Sequence, residues 1–244
     1  MTTFTVSADK RFASSLEYIS TRLGAVKVGL KQTPNKLVVN ACKNTEMVAA
    51  TILDALCEVI VTDCKAHYIR EKLRVKITDP VMQCAFIRAL STFDYETDKL
   101  LVGGLLKLTP TFLLSSFYDF CLDDLKKRWD EVCVLANENI ALLLVERNLN
   151  ELIRFLIQSI QPKVNQVYLR NAGEHVELLD RNMELVEGVY VNPTLTADAN
   201  VVEKLVALSP RKIFFIGEWC EFFDKVNDIF TDCVAIDNTT LTVI

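Results

Sequence analysis

The sequence predicts an α+β fold built from three segments, on three observations. Residues 1–44 carry short runs of period two around a single amphipathic helix. Residues 45–161 show helical spacing. After Pro162 the period returns to two, and the chain closes on a strand, a helix and a strand. The expected organisation is a small N-terminal β-α-β-β unit, a helical middle, and a C-terminal α/β unit (162–244) with a hairpin and a β-α-β. Only 7 Gly and 6 Pro in 244 residues favour long regular elements over a loop-rich fold.

The elements follow in order. Residues 2–7 (TTFTVS) form a strand. Ser7 or Asp9 then caps a helix to about Leu23, with Phe12, Leu16, Ile19 and Leu23 on one stripe. Residues 25–31 and 36–42 are two strands joined by Gln32-Thr33-Pro34-Asn35, a hairpin turn. A long apolar helix follows Thr45 and becomes basic toward its end. Asp79-Pro80 opens the next helix, with proline in the first turn. Gly103-Gly104 and Thr109-Pro110 punctuate the chain beyond it. From Pro110 to about Glu138 an apolar start passes into DDLKKRWDE. The helix over about 139–161 has Leu149, Leu152, Ile153, Leu156 and Ile160 on one stripe, and Glu146, Asn150, Arg154 and Gln158 opposite. Val167 and Leu169, then Val176 and Leu178, alternate with polar residues across the turn Asn171-Ala172-Gly173, a β-hairpin. Residues 198–208 form a helix stopped by Ser209-Pro210, and 212–216 a strand. Residues 219–230 form a helix with Trp219, Phe222, Phe223, Val226, Ile229 and Phe230 inward. Residues 233–236 are a last strand, parallel to its predecessor.

Composition bounds the function. A 50% apolar chain of this length buries a sizeable core. The eight cysteines stand singly, with no C-x-x-C, and read as reduced buried thiols. The first residues lack the apolar core of a signal peptide. The most apolar stretches are 47–61, which carries Asp54 and Glu58, and 100–117, which carries Lys107 and Pro110. Neither is a membrane span. The expectation is a cytoplasmic protein without a membrane span. The net charge of -5 is uneven: residues 1–43 hold seven Lys/Arg against two Asp/Glu, and residues 171–244 hold five against thirteen. An acidic chain is not built around nucleic acid, which demands a basic face.

No residue pattern assigns a reaction, a cofactor or a metal. His67 and His175 are the only histidines. His175 belongs to the solvated side of a hairpin strand. His67 and Cys64 share a helical turn, but a zinc site needs a second pair nearby. There is no G-x-S-x-G. Gly217, followed by Glu218, is a poor phosphate cradle. Paired carboxylates occur at Asp123-Asp124, Asp54/Glu58 and Asp224/Asp228; Asp54 and Glu58, one helical turn apart, lack the Glu-x-x-His companions of di-metal carboxylate sites and suit surface or capping roles.

The residues singled out for function are Lys65, Arg70, Lys72, Arg74 and Lys76, a basic run at the end of the long helix. Cations are favoured there by the helix dipole; as a patch they would dock an acidic or phosphate-bearing partner. A family resemblance adds to this. The run NELIRFL from Asn150, then Gln161-Pro162-Lys163-Val164 leading into Val167-Tyr168-Leu169, and the run LSPRKI from Leu208, resemble the YtxC-like putative sporulation proteins of endospore-forming bacteria. The resemblance implies a cytoplasmic, sporulation-linked protein and carries no catalytic residue to named positions. The expected function is therefore a non-enzymatic protein that works by binding a protein partner, with a homo-oligomer allowed. The alternatives are polyanion binding (nucleic acid or phospholipid head groups) through the basic residues, and an unrecognised enzyme holding a small ligand at the C-terminal strand ends.

Overall fold

The computed structural model describes residues 2–24, 26–74, 76–139, 146–186 and 195–235, with the side chains of 146 and 147 outside that description. Predicted boundaries at Ala25, at the start of the 139–161 helix and at Ile236 lie outside the described residues or run up to their limits. The fold is α+β with two small mixed sheets. It divides into two compact units: Met1–Leu73 with Ser91–Leu135, and Arg74–Leu90 with Ala136–Ile244.

The first unit opens with β1 (Thr2–Ser7), α1 (Ala13–Gly24), β2 (Gly29–Thr33) and β3 (Lys36–Ala41). β3 lies antiparallel to both β1 and β2, and the β2–β3 register closes on Thr33 opposite Lys36, a two-residue Pro34-Asn35 turn. Alternation puts Val6, Leu37, Val39 and Ala41 wholly inside. Phe12, Leu16, Ile19 and Leu23 of the α1 segment are buried, as their spacing predicts. The Asp9 carboxylate accepts from the Arg11 N–H ahead of that helix. Next come α2 (Thr45–Val59), a π-helical turn (Ile60–Cys64) and α3 (Lys65–Lys72), in place of one uninterrupted helix.

Helix α4 (Pro80–Ser91) belongs to the second unit as far as Leu90. The first unit resumes with α5 (Tyr95–Leu105), β4 (Thr111–Leu113), α6 (Leu114–Cys121) and α7 (Asp123–Glu138). Gly103 and Gly104 sit in the last turn of α5 and do not break it, because the left-handed conformation glycine supplies is not used there. Strand β4 is unexpected. It pairs parallel to β1, with Phe112 opposite Val6, and completes the order β2-β3-β1-β4. One core joins both stretches of this unit, with Phe12, Leu56, Phe112 and Trp129 among its members.

In the second unit the Asp79 carboxylate accepts from the N–H groups of Val81 and Met82, capping α4 behind Pro80. Helix α8 (Glu146–Gln158) buries Leu149, Ile153, Leu156 and Ile157; Leu152 and Ile160 are half-buried. β5 (Val164–Asn171) and β6 (Val176–Leu179) form the predicted hairpin, followed by α9 (Ala197–Leu208), β7 (Pro210–Ile216), α10 (Glu221–Ile229) and β8 (Val234–Ala235). The sheet order is β6-β5-β7-β8, and β7 runs parallel to both β5 and β8. The Thr196 hydroxyl accepts from the Ala199 N–H at the start of α9, and Ser209 ends that helix in a left-handed conformation. Arg88 of α4 and Glu203 of α9 lie 3.6 Å apart in the interior of this unit.

Candidate interaction surface

The π-helical turn decides where the predicted basic patch goes. In α2 the buried positions Val48, Ile52, Leu56 and Val59 follow a 3.6-residue period. A π turn inserts one extra residue, which rotates everything after it by about 100°. The inward positions become Cys64, Lys65, Tyr68 and Ile69. Lys65, expected on the surface, is therefore 1% exposed. Its Nζ lies 2.7 Å from Asp98 Oδ2 and also donates to the Phe93 carbonyl. The Trp129 indole N–H donates to the same Asp98 oxygen at 2.9 Å. Burial pulls the Lys65 pKa down, against the opposing pull of Asp98. Lys65 is a structural ion-pair member and cannot dock a partner.

The remaining basic residues do not make up one patch of one unit. Arg70 is half-buried. Lys72 is exposed but lies 3.9 Å from Asp130 and over the Tyr68 ring. Arg74 and Lys76 are exposed and belong to the second unit. The Arg74 backbone N–H is held by the Asn137 side chain.

The other candidate residues are placed as follows. His67 packs against the rings of Phe12 and Tyr118 with Nε2 3.2 Å from Glu71, and burial lowers its pKa. Cys64 is buried, and burial pushes its thiol well up from the usual range. Among the described residues no three His, Cys, Asp or Glu side chains are grouped to hold a metal. Asp54 pairs with Arg22 and Lys99. His175 is exposed beside Glu177. Of the cysteines, Cys57, Cys64, Cys84 and Cys133 are buried as expected, whereas Cys42 and Cys121 are exposed.

At the C-terminal strand ends, Gly217 takes φ +92°, and a Cβ there would stand 3.3 Å from the Asn171 carbonyl oxygen. The Asn171 amide also donates to the Glu218 carbonyl. This loop is clamped onto the end of β5. Trp219, expected inside, is 57% exposed. Its ring leans on Phe215 and Phe223 and its N–H donates to Asp224, so it lids the aromatic cluster from outside.

No protein-family model matches this chain, and neither a curated protein nor a solved structure does.

The feature that sequence reading missed is the outer side of α5. Asp98, Val102 and Leu106 point inward. Away from that side Leu100 is 78% and Leu101 44% exposed, with Gly103 and Gly104 one turn further on; Leu105, the last helical residue and in line with Asp98, is 48% exposed at the helix end. Nothing lies within 4 Å of where either glycine would carry a Cβ. Beside this side runs a groove of about 550 Å³, lined by Leu53, Cys57, Leu100, Gly103 and Leu106 together with the Asp54/Lys99 pair and Glu96. The chemistry of the groove is muted. Burial raises the Cys57 thiol, which donates to the Lys99 carbonyl at 3.4 Å. The arrangement offers apolar area and shape to a partner, and no activated nucleophile. Its sequence signal was LLVGGL, in which Leu100 and Leu101 are each followed three residues later by a glycine.

Proposed function

We propose that this chain is a non-enzymatic interaction protein that docks another protein through the exposed side of α5 and the groove beside it. The observation that supports this reading is the solvent-facing group Leu100, Leu101 and Leu105. Single exposed apolar side chains are ordinary; Leu100 at the lip of an apolar groove, with Leu101 beside it and Leu105 at the helix end, suits a docking surface. Covering a leucine is worth about 1.5–3 kcal/mol, a factor of roughly ten to a hundred in affinity. The test is capture of partners by the full chain, followed by titration of each purified partner against wild type and Leu100→Glu. The substitution is expected to weaken binding at least about tenfold. Unchanged affinity for every partner would overturn the reading.

The cellular setting rests on the resemblance of two segments to YtxC-like proteins. On that resemblance we propose a partner in sporulating cells, and deletion of the gene is expected to alter spore yield. Normal sporulation of the deletion strain removes that setting and leaves the docking surface to its own test.

A second reading has one observation in its favour. Every residue of β2 is exposed, and the hairpin displays Lys31 and Lys36. Polyanion binding there would weaken steeply with salt; a heparin column eluting the chain without retention at low salt would dismiss it.

A further inference from the structure

We propose that the outer face of the first sheet binds the phosphate backbone of a nucleic-acid duplex. This rests on the polyanion reading and names both the polyanion and the surface that holds it. Alternation turns Phe4, Val6, Leu37, Val39 and Phe112 into the core. The residues between them make up the outer face. The registers set Thr5 between Val38 and Thr111, Lys31 opposite Val38, and Thr33 opposite Lys36. Val38 and Leu113 are the only apolar side chains of this face; the rest are Lys, Thr, Ser, Asn and one glycine. Lysines, hydroxyls and amides are the groups that donate to phosphate oxygens. None of the four strands contains an acidic residue.

A lysine on an edge strand is an ordinary guard against pairing with another sheet. Lys31 taken singly is no more than that; the segregation of charge around it is the informative feature. Elsewhere in this unit Arg11, Arg22, Lys65, Lys99, Lys127 and Arg128 are each paired with a carboxylate. Among the described residues Lys31 and Lys36 have no such partner. Neither do Lys10, Lys27, Lys43 and Lys107, which are exposed within four residues of a strand end. The acids that make the chain net negative are concentrated elsewhere in the sequence: residues 171–244 hold thirteen against five Lys/Arg. An unneutralised basic face on an acidic chain matches a polyanion. Three features select a duplex. The face carries no aromatic ring or guanidinium, so it offers nothing on which unstacked bases could stack. Lys31 and Lys36 stand diagonally on paired strands, about 7–8 Å apart, so each can meet a different phosphate. Four strands span about 14 Å and a B-form major groove about 12 Å, so the face reaches phosphates on both sides of one groove. A membrane surface would instead be matched by apolar side chains that enter it, and Leu113, at one end of the face, is its only exposed one.

The test is fluorescence anisotropy of a labelled DNA duplex of about 20 base pairs, two helical turns, titrated with the full chain. Binding is expected at about 50 mM salt with a Kd of about 1–100 µM. Contact with about three phosphates gives a slope of about −2.7 in log K against log salt, so affinity should fall roughly fortyfold between about 50 and 200 mM. Lys31→Gln together with Lys36→Gln is expected to take about 1.8 from the steepness of that slope, with the circular dichroism spectrum unchanged. Thr111→Lys, on the far side of the face from the hairpin, is expected to steepen it by about 0.9. No binding at about 50 mM salt overturns the proposal, as does a slope indifferent to the paired lysine variant or equal affinity for a single strand of the same sequence. A slope unmoved by Thr111→Lys confines the contact to the hairpin and overturns the face. Binding of phosphatidylserine vesicles or polyglutamate in place of the duplex overturns the proposal in favour of a membrane or an acidic protein. Retention on heparin without duplex binding overturns the duplex and leaves the polyanion reading standing; a chain that heparin does not retain loses both.

Discussion

Replacing Asp98 by Asn tests whether the inward turn of Lys65 is held by charge. Both partners of the pair are 1% exposed, and the acceptor oxygen is shared with the Trp129 indole. The amide has nearly the same volume and can still accept from Trp129, so the substitution isolates the lost charge. Lys65 is then a buried cation with only neutral acceptors in hydrogen-bond reach, the Phe93 carbonyl and the new amide oxygen, and Arg128, 3.8 Å from the other Asp98 oxygen, also loses a carboxylate. Stranding one member of such a pair costs about 3–5 kcal/mol. An independent bound agrees. The lysine can escape by losing its proton, which at pH 7 costs about 5 kcal/mol, since its ordinary value of 10.5 lies 3.5 units higher and each unit is about 1.4 kcal/mol. The escape route gives a pH signature. If Lys65 is neutral in the folded variant and charged when unfolded, the unfolded state holds the extra proton. Stability of the variant then rises with pH, by about 1.4 kcal/mol per unit below 10.5. The assay is urea unfolding at pH 7, 8 and 9. The chain has 2 tryptophans, so a Trp219→Phe background leaves Trp129 as the sole reporter, on the first unit. The double variant Lys65→Met with Asp98→Leu should lose less stability than either single change. A loss under about 1 kcal/mol for Asp98→Asn, or a double variant equal to the sum of its singles, would refute the reasoning.

Further outcomes follow from the same geometry. Gly217→Ala is expected to cost about 1–3 kcal/mol, from the positive φ and the 3.3 Å approach to Asn171, whereas Gly104→Ala, in a helix with open space, should stabilise the monomer by about 0.5–1 kcal/mol; thermal melts of the two variants compare them. Asp119 is held below the usual carboxylate range by its Arg11 hydrogen bonds, and in Asp9 the same arginine outweighs the upward push of burial. Both contributions are present above the ordinary 3.8 and are lost as pH falls through the lowered values. Both carboxylates are over a third exposed, so Arg11→Gln should remove only about 1 kcal/mol at neutral pH and nothing at low pH, as read by acid titration of circular dichroism. Phe223→Ala, at full burial, is expected to cost about 3–5 kcal/mol, and Trp219→Ala markedly less; equal costs would contradict the outward placement of Trp219.

What was legible in the sequence is local. The stripe of Phe12, Leu16, Ile19 and Leu23, the Asp79-Pro80 start, the hairpin about Asn171-Ala172-Gly173 and the stop at Ser209-Pro210 each depend on residues within one or two turns. What was not legible depends on distant partners. Strand β4 is three residues long, too short for alternation to show, and exists because β1, more than a hundred residues earlier, offers it an edge. The same holds for the first unit, which is assembled from two separate stretches of chain. The π turn between Val59 and Lys65 carries no glycine or proline to announce it, and missing it misplaced Lys65. The error at Trp219 has another cause. An aromatic residue at helical spacing reads as core, yet α10 starts only at Glu221, and Trp219 is fixed by its hydrogen bond to Asp224.

The α5 face was visible and misread, and the misreading is instructive. A glycine in a helix interior costs about 1 kcal/mol relative to alanine, and Gly103 and Gly104, in the last turn of α5, carry a smaller cost of the same sign. Exposed leucines give up the burial that would repay ordering them. The fold of the first unit requires neither: Gly103 and Gly104 adopt no left-handed backbone and meet no close neighbour, and Leu100 is 78% exposed. Both local costs therefore fall on one side of one helix, with nothing in the unit to offset them. Sequences fold well when local preference and global fold agree, and concentrated disagreement marks places shaped by something else. A partner helix resolves the disagreement on both counts, since it covers the leucines and makes use of the glycines. That convergence of two separate penalties, more than the apolar area itself, is the ground on which we propose the outer side of α5 as a docking surface.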